Sequence, residues 1–332
     1  MAGDMLGWGV IGCGWVARDH VLPAIAAAPA AQLAAVADSS EAALAACDAA
    51  AARYRSVEAL LADPAVQAVY VATPNHTHAE IVVAAAQAGK AVLCEKPMAT
   101  TARDAWRMVD AVEAAGVAYA TAYDQRHHPA HVALGRLVAA RRLGTITQAR
   151  IHYACWLPAD WAADNWRVDA ARAGGGAAID LAPHGLDLLA TLLGEPPVDV
   201  VARLQRRVQA YGVDDGAALL TGFACGTLAT LHVGYNCPDA LPRRRLELIG
   251  TRAMALAENT MGQTAGGELM LRHEDGRHEP VAFDTAACPF VRQMDGFSRH
   301  VLTGASFPGT AHGDLALTER LLAALDQETD KE

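Results

Sequence analysis

Lysine is nearly absent. Of the 27 Lys and Arg residues in the 332-residue chain, three are lysines, at positions 90, 96 and 331. A compact ammonium and a planar guanidinium are not interchangeable, so a lysine kept in such a chain marks a place where arginine would not serve. A basic block is also missing. The formal charge is -10, which makes the chain a poor binder of nucleic acid or of an anionic membrane. The seven cysteines, at 13, 47, 94, 155, 225, 237 and 288, form no C-x-x-C pair. That pattern indicates neither a zinc ribbon nor a disulfide framework and suits a reducing compartment. His152, His232, His300 and His312 lack ligand-like spacing and read as structural, so no metal is expected. No stretch of 18 apolar residues runs without polar interruption, so no membrane span is expected. The opening MAGDMLGWGVIG has no basic n-region and no long apolar run before its first strand, which predicts no removable leader and a cytoplasmic protein. What is present is an ordinary globular mix, 52% hydrophobic and 19% charged, long enough for two domains without disulfide support.

The first 120 or so residues alternate short apolar runs with Ala-rich helical stretches. Trp8–Ile11, Leu33–Ala37, Ala68–Val71, Ala91–Cys94 and Val117–Thr121 read as strands. Val16–Ala28, Glu41–Arg53, a segment from Thr77 and Thr101–Ala115 read as helices, with Thr77-x-x-Glu80 as a capping box. Strands and helices in that alternation predict an α/β fold with a doubly wound parallel sheet. The alternation stops near residue 120, which excludes an eight-fold barrel. Beyond it come a long strand over Thr145–Trp156, a Gly174-Gly175-Gly176 breaker, and a helix over Ile179–Leu193. Strand-like segments follow at 198–208, 216–224, 227–235, 243–249, 252–258, 267–272 and 278–284, parted by turn signals such as Asp215-Gly216 and Asp275-Gly276. This half predicts an α+β domain with a large, open, mostly antiparallel sheet. The boundary is set at 1–124 and 125–332, with the last helix able to return to the first domain.

Gly12-Cys13-Gly14-Trp15-Val16-Ala17 is G-x-G-x-x-A at the first strand-to-helix turn. Gly12 permits the tight turn, Gly14 lets backbone approach a pyrophosphate, and the small third position lets helix and strand pack closely; Trp15 and Val16 open the helix beneath. Asp38 ends the second strand, 26 positions after Gly12, where a carboxylate accepts hydrogen bonds from ribose hydroxyls. It would repel a 2′-phosphate, and no arginine sits beside it to receive one, so NAD is favoured, with NADP the alternative.

Two strand ends carry polar motifs. Thr73-Pro74-Asn75-His76-Thr77-His78 follows Val71, and Glu95-Lys96-Pro97 follows Cys94. In an open α/β sheet the ligand crevice lies beyond those ends, so Thr73, Pro74, Asn75, His78, Glu95 and Lys96 are candidates for the cofactor. Asn75 and His78 also suit helix capping. In the second half Asp180 and His184 stand four apart and share a face if helical. A carboxylate beside an imidazole can orient it and fix its tautomer. Asp187, three past His184, is the competing partner. Tyr153, Trp156, Trp161, Trp166 and Arg167 sit on or after the long strand, and Arg126, His127 and His128 precede Pro129. Aromatic faces suit sugar C–H surfaces, and Trp166, Arg167, Tyr153 and Arg126 are kept as substrate candidates.

G-x-G-x-x-A, T-P-N-x-x-H, E-K-P and G-G-G-x-x-x-D-x-x-x-H, in this order and spacing, resemble the Gfo/Idh/MocA oxidoreductases over essentially the whole chain. The resemblance implies a Rossmann domain plus an open α/β domain, NAD(H) or NADP(H), and hydride transfer at a carbinol or carbonyl carbon of a sugar, cyclitol or derivative. It implies catalytic roles for Lys96, Asp180 and His184, with the Lys96–Pro97 bond often cis. Trp156-Leu157-Pro158, Asn165-Trp166-Arg167 and Asn259-Thr260-Met261 narrow it to the 1,5-anhydro-D-fructose reductase-like branch. Asp38 departs from that branch, whose NADPH-preferring members usually lack an acid there.

On this reading the lysine and the imidazole handle one small carbohydrate over the nicotinamide. His184 serves as base in oxidation or acid in reduction, a role Lys96 could also fill, while Lys96 steadies alkoxide charge. Two other classes stay open: a non-catalytic NAD(P)-binding sensor, and a redox-assisted lyase or hydrolase without net cofactor turnover. An open antiparallel sheet needs its bare face covered, which predicts a homodimer or homotetramer through the second domain.

Overall fold

The computed structural model describes residues 5–47, 51–158 and 165–329. Trp161, a candidate above, lies outside the described residues. The chain divides into two compact units, one running to Asp124 and adding Phe290–Leu315, the other running Gln125–Pro289 and resuming at Ala316. A single cut at 124/125 therefore leaves out the later segment that belongs with the first unit.

The first unit is a six-stranded parallel sheet of β1 (Leu6–Ile11), β2 (Ala31–Ala37), β3 (Ala52–Tyr54), β4 (Ala68–Val71), β5 (Ala91–Cys94) and β6 (Tyr119–Thr121). Its order, β3-β2-β1-β4-β5-β6, reverses direction at β1 and β4, the switch point where a crevice opens beyond the strand ends. β1, β4 and β5 are buried throughout, as strands covered on both faces must be. The connecting helices are α1 (Leu22–Ala27, entered through a π turn over Ala17–Val21), α2 (Glu41–Ala45), α3 (Val57–Leu61), α4 (His78–Gln87) and α5 (Ala102–Ala115). Two expectations fail here. The helix read over 41–53 stops at Ala45, and Ala52–Tyr54 instead pairs with Ala35–Ala37 of β2. The Thr77/Glu80 capping box does not form, because the Thr77 hydroxyl donates to Pro74 O at 2.7 Å and lies 2.7 Å from Thr73 Oγ1.

The second unit contains α6 (Pro129–Ala139), β7 (Ile146–Ala154), α7 (Ala170–Ala173), α8 (Ala177–Leu193) and seven further strands. These are β8 (Pro197–Gln205), β9 (Gly216–Phe223), β10 (Leu228–Gly234), β11 (Arg244–Gly250), β12 (Ala253–Glu258), β13 (Glu268–His273) and β14 (His278–Pro280). They form one sheet, β14-β13-β12-β11-β7-β10-β9-β8, antiparallel except for the β7–β10 pair. Alternation on β9 and β10 sends Leu219, Ala229, Leu231 and Val233 inward to Leu186, Leu188 and Leu189 of α8. The opposite face leaves Val201, Leu220 and Leu228 more than half exposed.

The late helix α9 (Pro289–Thr303) is fastened to β1: Trp8 Nε1 donates to Ser298 Oγ at 3.0 Å, and Phe297 packs against the Trp8 ring. The last helix, α10 (Ala311–Thr329), begins in the first unit, where Asp314 accepts the Thr121 N–H at 2.9 Å, and continues in the second. Of the last two helices, α9 and the first turn of α10 thus group with the first unit, and the rest of α10 groups with the second. No described helix is long and apolar enough to cross a membrane.

Candidate active site

Gly12 leaves β1 with φ 93°, and a Cβ there would sit 2.6 Å from Ala72 O, so close strand packing and a left-handed turn both require glycine. A Cβ at Gly14 would meet no protein atom within 4 Å, which leaves the backbone open to a bulky anion. Asp38 braces this loop. Its Oδ2 accepts the Cys13 N–H at 2.8 Å and its Oδ1 accepts the Ser40 N–H at 2.8 Å. Trp15 meets the His20 ring edge-on at 5.5 Å, and Phe290 stacks on the other side of His20 at 5.0 Å. Burial there lowers the His20 pKa. Val16 is half-buried behind the loop.

A cavity of about 230 Å³ opens beside the loop, lined by Gly12, Asp38, Ser39, Arg55, Ser56, Glu58, Thr73 and neighbours. The expectation that no arginine accompanies Asp38 is corrected here. Arg55 follows β3, lines this cavity, and donates to Ser39 O at 3.3 Å. It is also 3.9 Å from Glu41. The glycine turn, the open side of Gly14 and the carboxylate at the end of β2 fit the adenosine and pyrophosphate of a dinucleotide.

At the ends of β4 and β5 one imidazole lies between the two polar motifs. His78 is fully buried, with Nδ1 3.0 Å from Pro97 O and Nε2 3.1 Å from Thr73 O. Burial is the main cause of its lowered pKa. His78 therefore sits between the Thr73-Pro74-Asn75 turn and the Glu95-Lys96-Pro97 turn, its neutral ring donating to one of the two carbonyls and packing against the other, a role its sequence position did not announce. Asn75, also buried, opens the short 3₁₀ turn between them. Glu95 is set by Tyr70, whose phenol donates to Oε1 at 2.6 Å, while Oε2 accepts the Lys96 N–H at 3.2 Å. The Lys96–Pro97 peptide is cis. Lys96 is half-buried, whereas Lys90 is spent structurally, donating to Asp63 O and Val66 O.

In the second unit α8 carries Asp180 and His184 on one face, one turn apart. The helix begins where it does because of Gly176 and Asp214. The Asp214 carboxylate accepts the N–H of Gly176 and of Ala178, both at 2.8 Å, and its carbonyl accepts the Ala177 N–H at 3.0 Å. A Cβ on Gly176 would stand 2.0 Å from Asp214 O, so only glycine admits this approach. Burial raises the Asp214 pKa against those two donors.

Asp180 Oδ2 accepts the Tyr235 hydroxyl at 2.7 Å. His184 is buried, and Tyr153 meets its ring edge-on at 5.4 Å. Asp187, the competing partner, is engaged elsewhere. It binds the Arg126 guanidinium, whose Nε lies 2.9 and 3.0 Å from its two oxygens and whose Nη2 adds a further hydrogen bond to Oδ1. Arg126 is thus a buried partner for α8 in this structure. Trp166 and Arg167 form a half-exposed turn with the guanidinium 4.4 Å above the indole centroid. Among the described residues no cluster suits a metal ion.

Residues 6–123 match the oxidoreductase family described as having an NAD-binding Rossmann fold, and residues 131–256 match the GFO/IDH/MocA C-terminal domain. Over 305 residues, 90% of this chain and 90% of the other, the chain is 34% identical to 1,5-anhydro-D-fructose reductase of Ensifer adhaerens. It belongs to the GFO/IDH/MocA family. Two solved structures share the fold. One is aldose-aldose oxidoreductase of Caulobacter crescentus complexed with glycerol, at TM-score 0.88 and 24% identity over 99% of each chain. The other is levoglucosan dehydrogenase complexed with NADH and levoglucosan, at TM-score 0.86 and 23% identity, covering 99% of this chain and 98% of that one. As a family member the chain holds its NAD-binding Rossmann domain in the first unit, and the loop geometry above is the part that matches it.

Proposed function

We propose that this chain is a nicotinamide-dependent oxidoreductase acting on a CH–OH group, or the corresponding carbonyl, of a sugar, cyclitol or anhydro-sugar. The observation that carries the reading is the Asp180–His184 pair on one face of α8, in a chain whose relative over nine-tenths of its length reduces an anhydro-sugar. Bound cofactor supplies or accepts the hydride. Lys96 donates to the reacting oxygen and holds the negative charge that grows on it. His184 takes the hydroxyl proton in oxidation and returns it in reduction. Asp180 orients the imidazole or accepts from a neighbouring hydroxyl. Trp166 with Arg167, and Tyr153, offer flat surfaces for sugar C–H faces. Arg126 acts indirectly, by fixing Asp187.

We read the cofactor as NAD in preference to NADP. Asp38 and Glu58 both line the adenosine cavity, and Glu41 stands beside Arg55, so a 2′-phosphate brought there meets more carboxylates than cations. The test follows nicotinamide absorbance across a panel of aldoses, inositols and anhydro-keto sugars with each cofactor. Turnover with NAD at the higher kcat/KM is the expected result. Binding of NADH with no turnover on any of them would sink the enzymatic reading, and a strong NADP preference would sink the cofactor assignment.

The exposed apolar row on β8, β9 and β10 supports a second copy covering that face. Light scattering should return at least a dimer; a stable monomer would refute this.

A further inference from the structure

We propose that Tyr235 is the positioning residue for Asp180: its buried hydroxyl, 2.7 Å from Oδ2, aims the carboxylate and keeps it a hydrogen-bond acceptor during turnover. The proposal rests on the reading of Asp180 as part of the substrate site.

Tyr235 is held as a fixed reference point. Its N–H donates to Asp215 O at 2.8 Å, and its carbonyl accepts the Leu157 N–H at 3.0 Å and the Gln209 amide at 3.3 Å. The ring is 1% exposed. At the other end of the hydrogen bond, the first turn of α8 hangs from Asp214, the residue next to Asp215. One dipeptide therefore places both partners. Asp215 is itself anchored. Burial alone would raise its pKa, but the N–H groups of Gln209, Val208 and Arg207 and the Asn236 amide outweigh this and hold it below the ordinary carboxylate value.

The bond has one direction. Burial, and then the charge of Asp180, push the Tyr235 phenol well above its usual titration range. It remains an O–H donor at any working pH, and an ionised carboxylate can only accept. The phenol also feels Cys155 and Arg167, and the Cys155 thiol is itself pushed up to about 12 by burial and then by Asp180, while His184 stands one turn along α8. A neutral tyrosine is suited to the task because it orients the carboxylate without neutralising it, as an arginine would. A hydrogen bond to an ionised group contributes about 1.5–3 kcal/mol, which is roughly a 10- to 100-fold effect on a rate that depends on it.

The experiment compares wild type with Tyr235→Phe in the full-length chain. Phenylalanine keeps the ring and removes the donor. The expected result is a near-native melting temperature, an unchanged Kd for NADH, and a kcat at least about tenfold lower with substrate KM less affected. The acidic limb of the kcat/KM profile moves to higher pH, because a carboxylate stripped of its donor takes up a proton sooner. The Asp180 carboxyl, followed by carbon NMR without substrate, titrates in the same direction. An unmoved carboxyl titration together with unchanged kcat would reduce Tyr235 to a packing residue. If wild type turns over no sugar, the functional reading has failed, while the carboxyl titration still decides this one. If Tyr235→Phe does not fold, Asp180→Asn serves: loss of the neighbouring charge should let the phenol ionise at lower pH, and an unchanged phenol titration would overturn the pairing.

Discussion

Lys96→Ala should lower kcat by about two to three orders of magnitude while the Kd for NADH, read by fluorescence titration, stays within a factor of a few. Removing one donor from a developing oxyanion typically has an effect of that size. The glycine loop, Asp38 and the adenosine cavity do not depend on the lysine side chain, so cofactor binding survives. His184→Ala should have a comparable effect, about two to four orders of magnitude, if the imidazole moves the proton. The double variant separates the roles. Two groups serving one transition state give losses that do not multiply, whereas independent contributions multiply. Near-native turnover in either single variant would remove that residue from the chemistry.

Arg126→Ala should strongly destabilise the second unit. Arg126 is 8% exposed and Asp187 1%, so the substitution removes a buried guanidinium that this carboxylate binds. Breaking such a pair costs about 3–5 kcal/mol, enough to lower the melting temperature of that unit by roughly 10 °C. The double variant Arg126→Met with Asp187→Leu should recover most of the loss, since removing both charges also removes the desolvation penalty. Activity in the double variant reports how far the pair also steadies His184, one turn away. A single variant melting with wild type would show the ion pair to contribute nothing to the fold.

Much of the architecture was legible because its signals are local. The G-x-G-x-x-A turn, the buried runs of β1, β4 and β5, and the alternating strands β8 to β13 each announce themselves within a dozen residues. The misses were contacts made across the chain. Alanine-rich 41–53 reads as one helix by propensity, but the edge of β2 captures Ala52–Tyr54 as a strand. Thr77 has the spacing of a cap, yet its hydroxyl is taken by the turn preceding it. Arg55 reaches Asp38's cavity from the next strand, and Arg126 claims Asp187 from 61 residues away. Likewise nothing local links Tyr235 to Asp180, 55 positions apart, or shows that Gly176 must lack a side chain to admit Asp214. Periodicity reports which face of an element is buried; it does not report which side chain waits there.

The single parallel pair in the larger sheet has a kinetic meaning. β7 lies at the sheet's interior between β10 and β11, and its first residue is joined to Thr227, 81 residues later. During synthesis β7 therefore emerges with both hydrogen-bonding edges bare and keeps them so until β10 and β11 have followed. Long-range pairing of this kind slows folding and lengthens exposure to other nascent chains. The second unit therefore carries an unpaired interior strand while it is still on the ribosome, a state that a chaperone would shield.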